Sequence, residues 1–210
     1  EAGSAQPRKR FNEESLADLA GSIKQHGIIQ PLTVRRLANG YYQIIAGERR
    51  WRAARLAGLS EVPVIVVEAD DRKAAELALI ENLQREDLNP VEEAEGFRSL
   101  MENYGMTQEE AAGRVSKSRS AVANSLRLLN LTEPVRKMLA ENVVSAGHAR
   151  ALLALRGAEQ EKAAKAVADG GLSVRQTEAL VRKLQSVPKH KKAKPTTAVD
   201  YSAVAEKELS

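Results

Sequence analysis

The 210-residue chain contains no cysteine. That absence removes disulfides, thiolate metal sites and cysteine nucleophiles together. Histidine is nearly as scarce: His26, His148 and His190 stand far apart, and nothing in the pattern gathers them as metal ligands. Aromatic residues make up 3% of the chain, which argues against a single-strand binder built on stacking platforms. No apolar run approaches the length of a membrane span, and the opening "EAGSAQPRKRF" lacks the apolar stretch of a secretory signal. Charge of one sign does not dominate: 32 Lys and Arg stand against 28 Asp and Glu. Nucleic-acid binding must therefore be argued from where the bases sit rather than from their total.

What is present falls into two unlike parts. The first mixes helix and strand. "NEESLADLAGSIKQHG" predicts a helix with Asn12 as cap, Leu16, Leu19, Ala20 and Ile23 on one face, and Gly27 as its stop. "IIQPLTVRRL" and "YYQIIA" read as strands joined through a turn at Asn39-Gly40. "ERRWRAARLAG" is a short helix closed by Gly58, and "VPVIVVEA" is expected as a buried strand. From Asp70 onward the pattern is helical. "DDRKAAELALIENLQRED" is one helix, and "NPVEEAEGFRSLMENYG" is a second, with Asn89 as cap and Pro90 at its first position. Short capped helices follow, opened at Thr107 (a capping box with Glu110), Ser118, Thr132 and Ser145. After Ser186, "VPKHKKAKPTTAV" reads as a basic flexible linker, and "DYSAVAEKELS" as the first turns of another helix. The expected class is α+β. A small mixed α/β domain (1–88) precedes an all-helical domain (89–186), a linker (187–198) and the start of a further domain (199–210).

"MTQEEAAGRVSKSRSAVANSLRLLNL" has the spacing of a helix-turn-helix. Ala111, Ala112 and Val115 face inward from the first helix, and Val122, Leu126 and Leu129 from the second, across the turn Ser116-Lys117-Ser118. The first residues of the second helix enter the major groove in this motif. Lys117, Ser118, Arg119, Ser120 and Asn124 are therefore candidates for DNA contact. Arg119 is suited to a forked bond with guanine, and Lys117 and Arg127 to phosphates. "SAGHAR" presents a further helix start, with His148 and Arg150 expected to be exposed, and Arg175 adds a later cation. A plain helical hairpin with solvated charges is the alternative.

Arg49 and Arg50 stand where a helix begins, although a helix start carries partial positive charge and favours acids. Three explanations compete. An internal pair between Glu48 and Arg52 accounts for Arg52 alone. Contact with DNA phosphate is the second. The third is an anion bound at the helix start, approached closely through Gly47, and it is preferred because a strand–Gly–helix junction is where such sites form. Glu81 and Asn82, in "ENLQRED", supply hard oxygen donors of the kind magnesium uses beside phosphates. A solvated helix end explains them equally well when taken alone.

Together, "IIQPLTVR", "GERRWRAARLAGL", "ENLQREDLNPVEEA" and "KSRSAVANSLRLL" resemble the chromosomal ParB family, in that order, over about residues 6–186. The resemblance implies a CTP-binding N-terminal domain, with a fold similar to sulfiredoxin, that acts as a low-turnover CTP hydrolase, holding CTP or CDP with Mg²⁺. It implies a helix-turn-helix that reads double-stranded DNA at palindromic parS sites, and closure of the protein as a sliding clamp when N-terminal domains self-associate with nucleotide. Implied partners are the ParA ATPase and the SMC condensin complex; the implied location is cytoplasmic and nucleoid-associated, away from the membrane. By matching residues, Gly47, Glu48, Arg49 and Arg50 would hold the triphosphate, with Gln30 nearby. Glu81 and Asn82 would place Mg²⁺ and support hydrolysis, and Arg119 would read bases. Gly147 fits the parS-reading branch rather than the nucleoid-occlusion branch. The chain ends where a C-terminal dimerisation domain is expected to begin. Sulfiredoxin chemistry needs a cysteine, so a redox enzyme is excluded. The alternatives are a nucleoid-occlusion-type paralogue and a helix-turn-helix transcription regulator without nucleotide.

Overall fold

The computed structural model describes residues 13–85 and 87–186; the expectations for Asn12, for 187–198 and for 199–210 lie outside the described residues. Helix α1 (Glu13–His26) ends on Gly27, whose φ of 70° is the left-handed turn the sequence reserves for glycine. Strands β1 (Leu32–Arg36) and β2 (Tyr42–Ala46) form the predicted antiparallel hairpin. Its three-residue loop, Ala38-Asn39-Gly40, closes with Leu37 N–H on the Tyr41 carbonyl at 2.7 Å and puts Gly40 at φ 83°.

Helix α2 (Glu48–Leu56) follows β2 with Gly47 as its only connecting residue. It closes as the sequence predicts. Gly58 N–H reaches the Arg55 carbonyl at 3.1 Å and Leu59 N–H reaches Ala54 at 3.0 Å, the paired bonds of a glycine-terminated helix. Ala53 and Ala54 are fully buried against Ala20 and Ile23 of α1, where small side chains let the two helices approach. Strand β3 (Val64–Val66) runs parallel to β1, giving the order β2-β1-β3.

One expectation is overturned at β3. The apolar run was expected to be buried, but Val64, Ile65 and Val66 are 44%, 54% and 51% exposed. The strand is three residues long and sits at the edge of the sheet, with β1 as its one neighbour among the described residues. A continuous apolar run predicts burial on both faces only for an interior strand. The sheet's core is carried instead by Leu32, Val34 and Ile44, with Trp51 packed beside them.

Helix α3 (Asp71–Leu83) joins the two parts. It packs on β2, while Ile80 and Leu83 belong to the same apolar cluster as Phe97, Leu100, Ala111 and Val122. It ends at Leu83, short of the predicted Asp87. Helix α4 (Pro90–Tyr104) carries the expected capping box, Asn89 with Glu92. Gly96 on α4 lies directly over Leu83: a Cβ there would sit 2.6 Å from Leu83 Cδ2, so the α3–α4 contact requires glycine.

Helices α5 (Gln108–Arg114) and α6 (Arg119–Arg127) form the helix-turn-helix, capped by Thr107 and Ser118 as predicted. Ser116 takes φ 56° in the turn, a left-handed position. Ala111, Ala112, Val115 and Val122 are buried as expected. Leu129 is not the inward residue; Leu128 is. The α-helix stops at Arg127 and tightens into a 3₁₀ turn (Leu128–Asn130), which rotates the next side chains away from the α-helical spacing. A second core gathers α7 (Glu133–Ala140), α8 (Ala146–Leu152), α9 (Gly157–Asp169) and α10 (Val174–Ser186) around Val135, Leu139, Leu152, Ala164 and Val181. Among the described residues no helix is long and apolar enough to cross a membrane.

Candidate functional site

The start of α2 is built to meet something negative. Its first internal bond runs from Trp51 N–H to the Gly47 carbonyl at 3.0 Å. The N–H groups of Glu48, Arg49 and Arg50 therefore have no partner within the helix. Most helices supply a side-chain cap at this point, but Gly47 supplies none. Its φ of 99° is a glycine conformation, and there is little room for more: a Cβ would lie 3.1 Å from Leu32 Cγ and 3.3 Å from Arg50 Cζ. Three backbone donors, a bare glycine and two half-buried guanidinium groups together make a cradle suited to phosphate oxygens.

The arginines are positioned from two sides. Arg50 Nη1 donates to the Gln30 and Pro31 carbonyls, each at 2.5 Å, and this brings Gln30 to the helix start. Arg49 Nη2 donates to Ser15 Oγ on α1 at 3.2 Å. Neither arginine has a carboxylate partner among the described residues. Glu48 is spoken for: it is 5% exposed, and its Oε1 accepts from Arg52 Nε at 2.9 Å, the predicted i,i+4 pair. Its Oε2 is buried without a hydrogen-bond partner among the described residues.

Glu81 and Asn82 sit at the last turn of α3. Glu81 is exposed, and Asn82 Oδ1 accepts from Arg85 Nη1 at 3.4 Å. Among the described residues no hydrogen bond or ion pair links either of them to Gly47, Arg49 or Arg50, and no cluster of His, Asp and Glu could chelate a metal unaided. A donor set of one carboxylate and one amide fits an ion whose remaining ligands are phosphate and water.

The DNA-reading candidates present a second surface. Ser118 Oγ caps α6, accepting from Ala121 N–H at 3.1 Å and lying 3.0 Å from Ser120 Oγ. Arg119 and Arg127 are exposed and have no ion pair among the described residues, so both are available to an outside partner; Asn124 is half-buried. Lys117 is occupied. It forms an ion pair with Glu93 of α4, and Glu93 also accepts from Ser125 Oγ at 3.2 Å. Glu93 and Ser125 were not among the sequence-derived site residues. The pairing spans 24 residues, so helical spacing carries no trace of it.

One later candidate is placed differently from expectation. His148 is half-buried rather than exposed. Its Nδ1 folds back to accept from Ser145 N–H at 3.2 Å in a capping box, and its Nε2 is enclosed without a partner among the described residues. A histidine three residues after a serine cap turns inward to satisfy the helix start. Gly147 faces Val174 of α10, where a Cβ would lie 2.9 Å from Val174 Cγ2, so its smallness serves helix packing. Arg150 is exposed as expected.

Comparison with known proteins follows the same division. The ParB N-terminal domain model matches residues 1–83 and the ParB HTH domain model residues 86–186. The chromosome-partitioning protein Spo0J of Thermus thermophilus is 55% identical over 88% of this chain, which spans 68% of that protein. The C-terminally truncated ParB of Caulobacter crescentus, complexed to the centromeric parS site, is 48% identical with a TM-score of 0.77, covering 87% of this chain and 95% of the other. The same Caulobacter protein complexed with CTP-gamma-S is 47% identical over 80% of this chain and 93% of the other, with a TM-score of 0.39.

Proposed function

The chain belongs to the ParB family of chromosome-partitioning proteins, and from that premise we propose that it is a CTP-dependent switch that reads parS. The observation that carries the nucleotide half is the start of α2: an uncapped glycine, free backbone N–H groups and two arginines held in place by neutral oxygens. In this reading the phosphates of CTP lie against Gly47, Arg49 and Arg50, and the Gln30-Pro31 backbone fixes the Arg50 guanidinium. Bound Mg²⁺ would neutralise phosphate charge, with Glu81 and Asn82 as the protein's oxygen donors. Glu81 and Asn82 also support slow hydrolysis to CDP. Glu48 acts through Arg52 to hold the first turn of the helix.

The DNA half rests on α6. Arg119 is exposed, unpaired among the described residues and first on the helix, so it is free to fork onto a guanine edge. Ser118, Ser120 and Arg127 contact the flanking backbone. Nucleotide binding and parS together favour N-terminal self-association and closure around DNA, from which ParA and SMC condensin engagement follow.

Two measurements test the reading. Arg119→Ala should reduce discrimination between parS and a scrambled duplex by roughly 5- to 150-fold, the equivalent of about 1–3 kcal/mol. Unchanged discrimination would place base reading elsewhere. Calorimetry with Mg²⁺ should show CTP bound in preference to ATP, GTP and UTP. Equal affinity for all four, or none for any, would leave a helix-turn-helix regulator without a nucleotide switch.

A further inference from the structure

We propose that Glu93 is a positioning residue that keeps Lys117 off the DNA, so that the reading helix meets its site with one phosphate contact fewer than its sequence offers. The inference rests on the DNA-binding reading above and deepens it. The turn of the helix-turn-helix puts Lys117 at the edge of the groove-entering helix, where a lysine ordinarily meets phosphate. Here it is turned back onto Glu93 of α4, whose side chain is 22% exposed while that of Lys117 is 42% exposed. The second oxygen of the same carboxylate accepts from Ser125 Oγ, and Ser125 is buried on the inner face of α6. One carboxylate thus grips α6 at two points: just before its first turn and two-thirds of the way along. It fixes the helix against α4 and cancels the charge of the one lysine at the turn.

The consequence is for the sequence-independent part of the affinity and for its salt dependence. Every cation on phosphate adds affinity to all sequences alike, because counterion release is blind to bases. A Lys117 held by Glu93 withholds that sequence-independent increment. Base reading by Arg119 then accounts for a larger share of the total. The cleft that this pair borders, about 450 Å³ between the end of α3 and the turn of the helix-turn-helix, is lined by Arg85, Glu93, Ser116 and Lys117 among others. Its other cation is engaged as well, since Arg85 pairs with Asp87 at 2.7 Å.

The test is the salt dependence of binding to a duplex carrying one parS half-site, followed by fluorescence anisotropy. Each phosphate contact contributes about 0.9 to the slope of log affinity against log salt. Lys117→Ala should leave the slope of the wild-type chain unchanged. Glu93→Gln should steepen it by about 0.9, an extra loss of roughly 3.5-fold between about 50 and 200 mM salt. It should also strengthen binding to parS and to scrambled duplex by the same factor at low salt, leaving their ratio unchanged. Adding Lys117→Ala to Glu93→Gln should restore the original slope. A slope that falls with Lys117→Ala alone overturns the proposal, because Lys117 would then leave Glu93 for phosphate in the complex. So does a Glu93→Gln slope equal to wild type. Lys117→Ala replaces an exposed residue and tests the idea even where Glu93→Gln fails to fold. Absence of any wild-type binding to the half-site would sink the DNA-binding reading itself, an outcome distinct from either slope result.

Discussion

Gly47→Ala separates the demands of the fold from those of the ligand. The substitution acts in two ways. It forces a side chain into a left-handed conformation, at φ 99°, which costs about 1–2 kcal/mol. It also places a Cβ 3.1 Å from Leu32 Cγ and 3.3 Å from Arg50 Cζ. Leu32 is 1% exposed and cannot retreat, so the guanidinium must move, and with it the bonds to Gln30 and Pro31. Gly40→Ala is the matched control. Gly40 has φ 83° but nothing within 4 Å of an added Cβ, and it lies in the hairpin loop away from the arginines. Both variants should lower the melting temperature by roughly 2–8 °C, at about 2–4 °C per kcal/mol for a chain of this size. Their response to ligand should differ. A saturating ligand that binds only the native state, at about 100 times its dissociation constant, stabilises by about 2.7 kcal/mol. Gly40→Ala should keep the full CTP·Mg²⁺ shift in differential scanning fluorimetry, and Gly47→Ala should lose most of it. Equal shifts in the two variants would refute the assignment of Gly47 to the ligand cradle.

Two further outcomes concern the helical part. Gly96→Ala should destabilise by up to about 2 kcal/mol, because overpacking against Leu83 costs about 1–3 while helix propensity returns up to about 1. Gly113→Ala, with open space around it, should stabilise by about 0.5–1 kcal/mol, and urea midpoints that rank the pair the other way would contradict the close α3–α4 packing. Glu110 is held below its ordinary carboxylate value, first by the bond from Thr107 N–H and then by the Thr107 hydroxyl, with Arg114 adding to the effect. A lowered native value means that its contribution is present above the ordinary carboxylate range and is lost as pH falls through the native value. The stability gap between wild type and Glu110→Gln should therefore be open at neutral pH and close in acid; a gap that widens in acid would contradict the capping assignment.

Local chemistry was well expressed in the sequence. Caps at Asn89, Thr107, Ser118 and Ser145, and the glycine stops at Gly27 and Gly58, depend on residues a few positions apart, and they stand where the pattern puts them. The contradiction at the α2 start was legible for the same reason: two cations stand against a helix dipole, and no side chain caps the helix there. What stayed hidden depends on tertiary placement. The exposure of β3 follows from its position at the sheet edge, which its apolar run does not encode. The inward turn of His148 depends on a competition between solvent and the Ser145 cap. The tie between Lys117 and Glu93 needed α4 and the turn before α6 to meet in space, as did the close contact between Gly96 and Leu83. The packing of Gly147 on Val174, where a Cβ would lie 2.9 Å from Val174 Cγ2, is likewise a contact that only the fold creates.

The central claim is that the arginines at the start of α2 serve a nucleotide, while a different arginine, on α6, reads DNA. The most direct test is one variant measured two ways. Arg50→Ala should abolish CTP·Mg²⁺ binding by calorimetry and leave the affinity for parS duplex, measured without nucleotide, close to that of wild type, because the hydrogen bonds of Arg50 run to Gln30 and Pro31 and not to the reading helix. If Arg50→Ala loses parS affinity and CTP binding together, or keeps CTP binding intact, the two sites are not divided in this way.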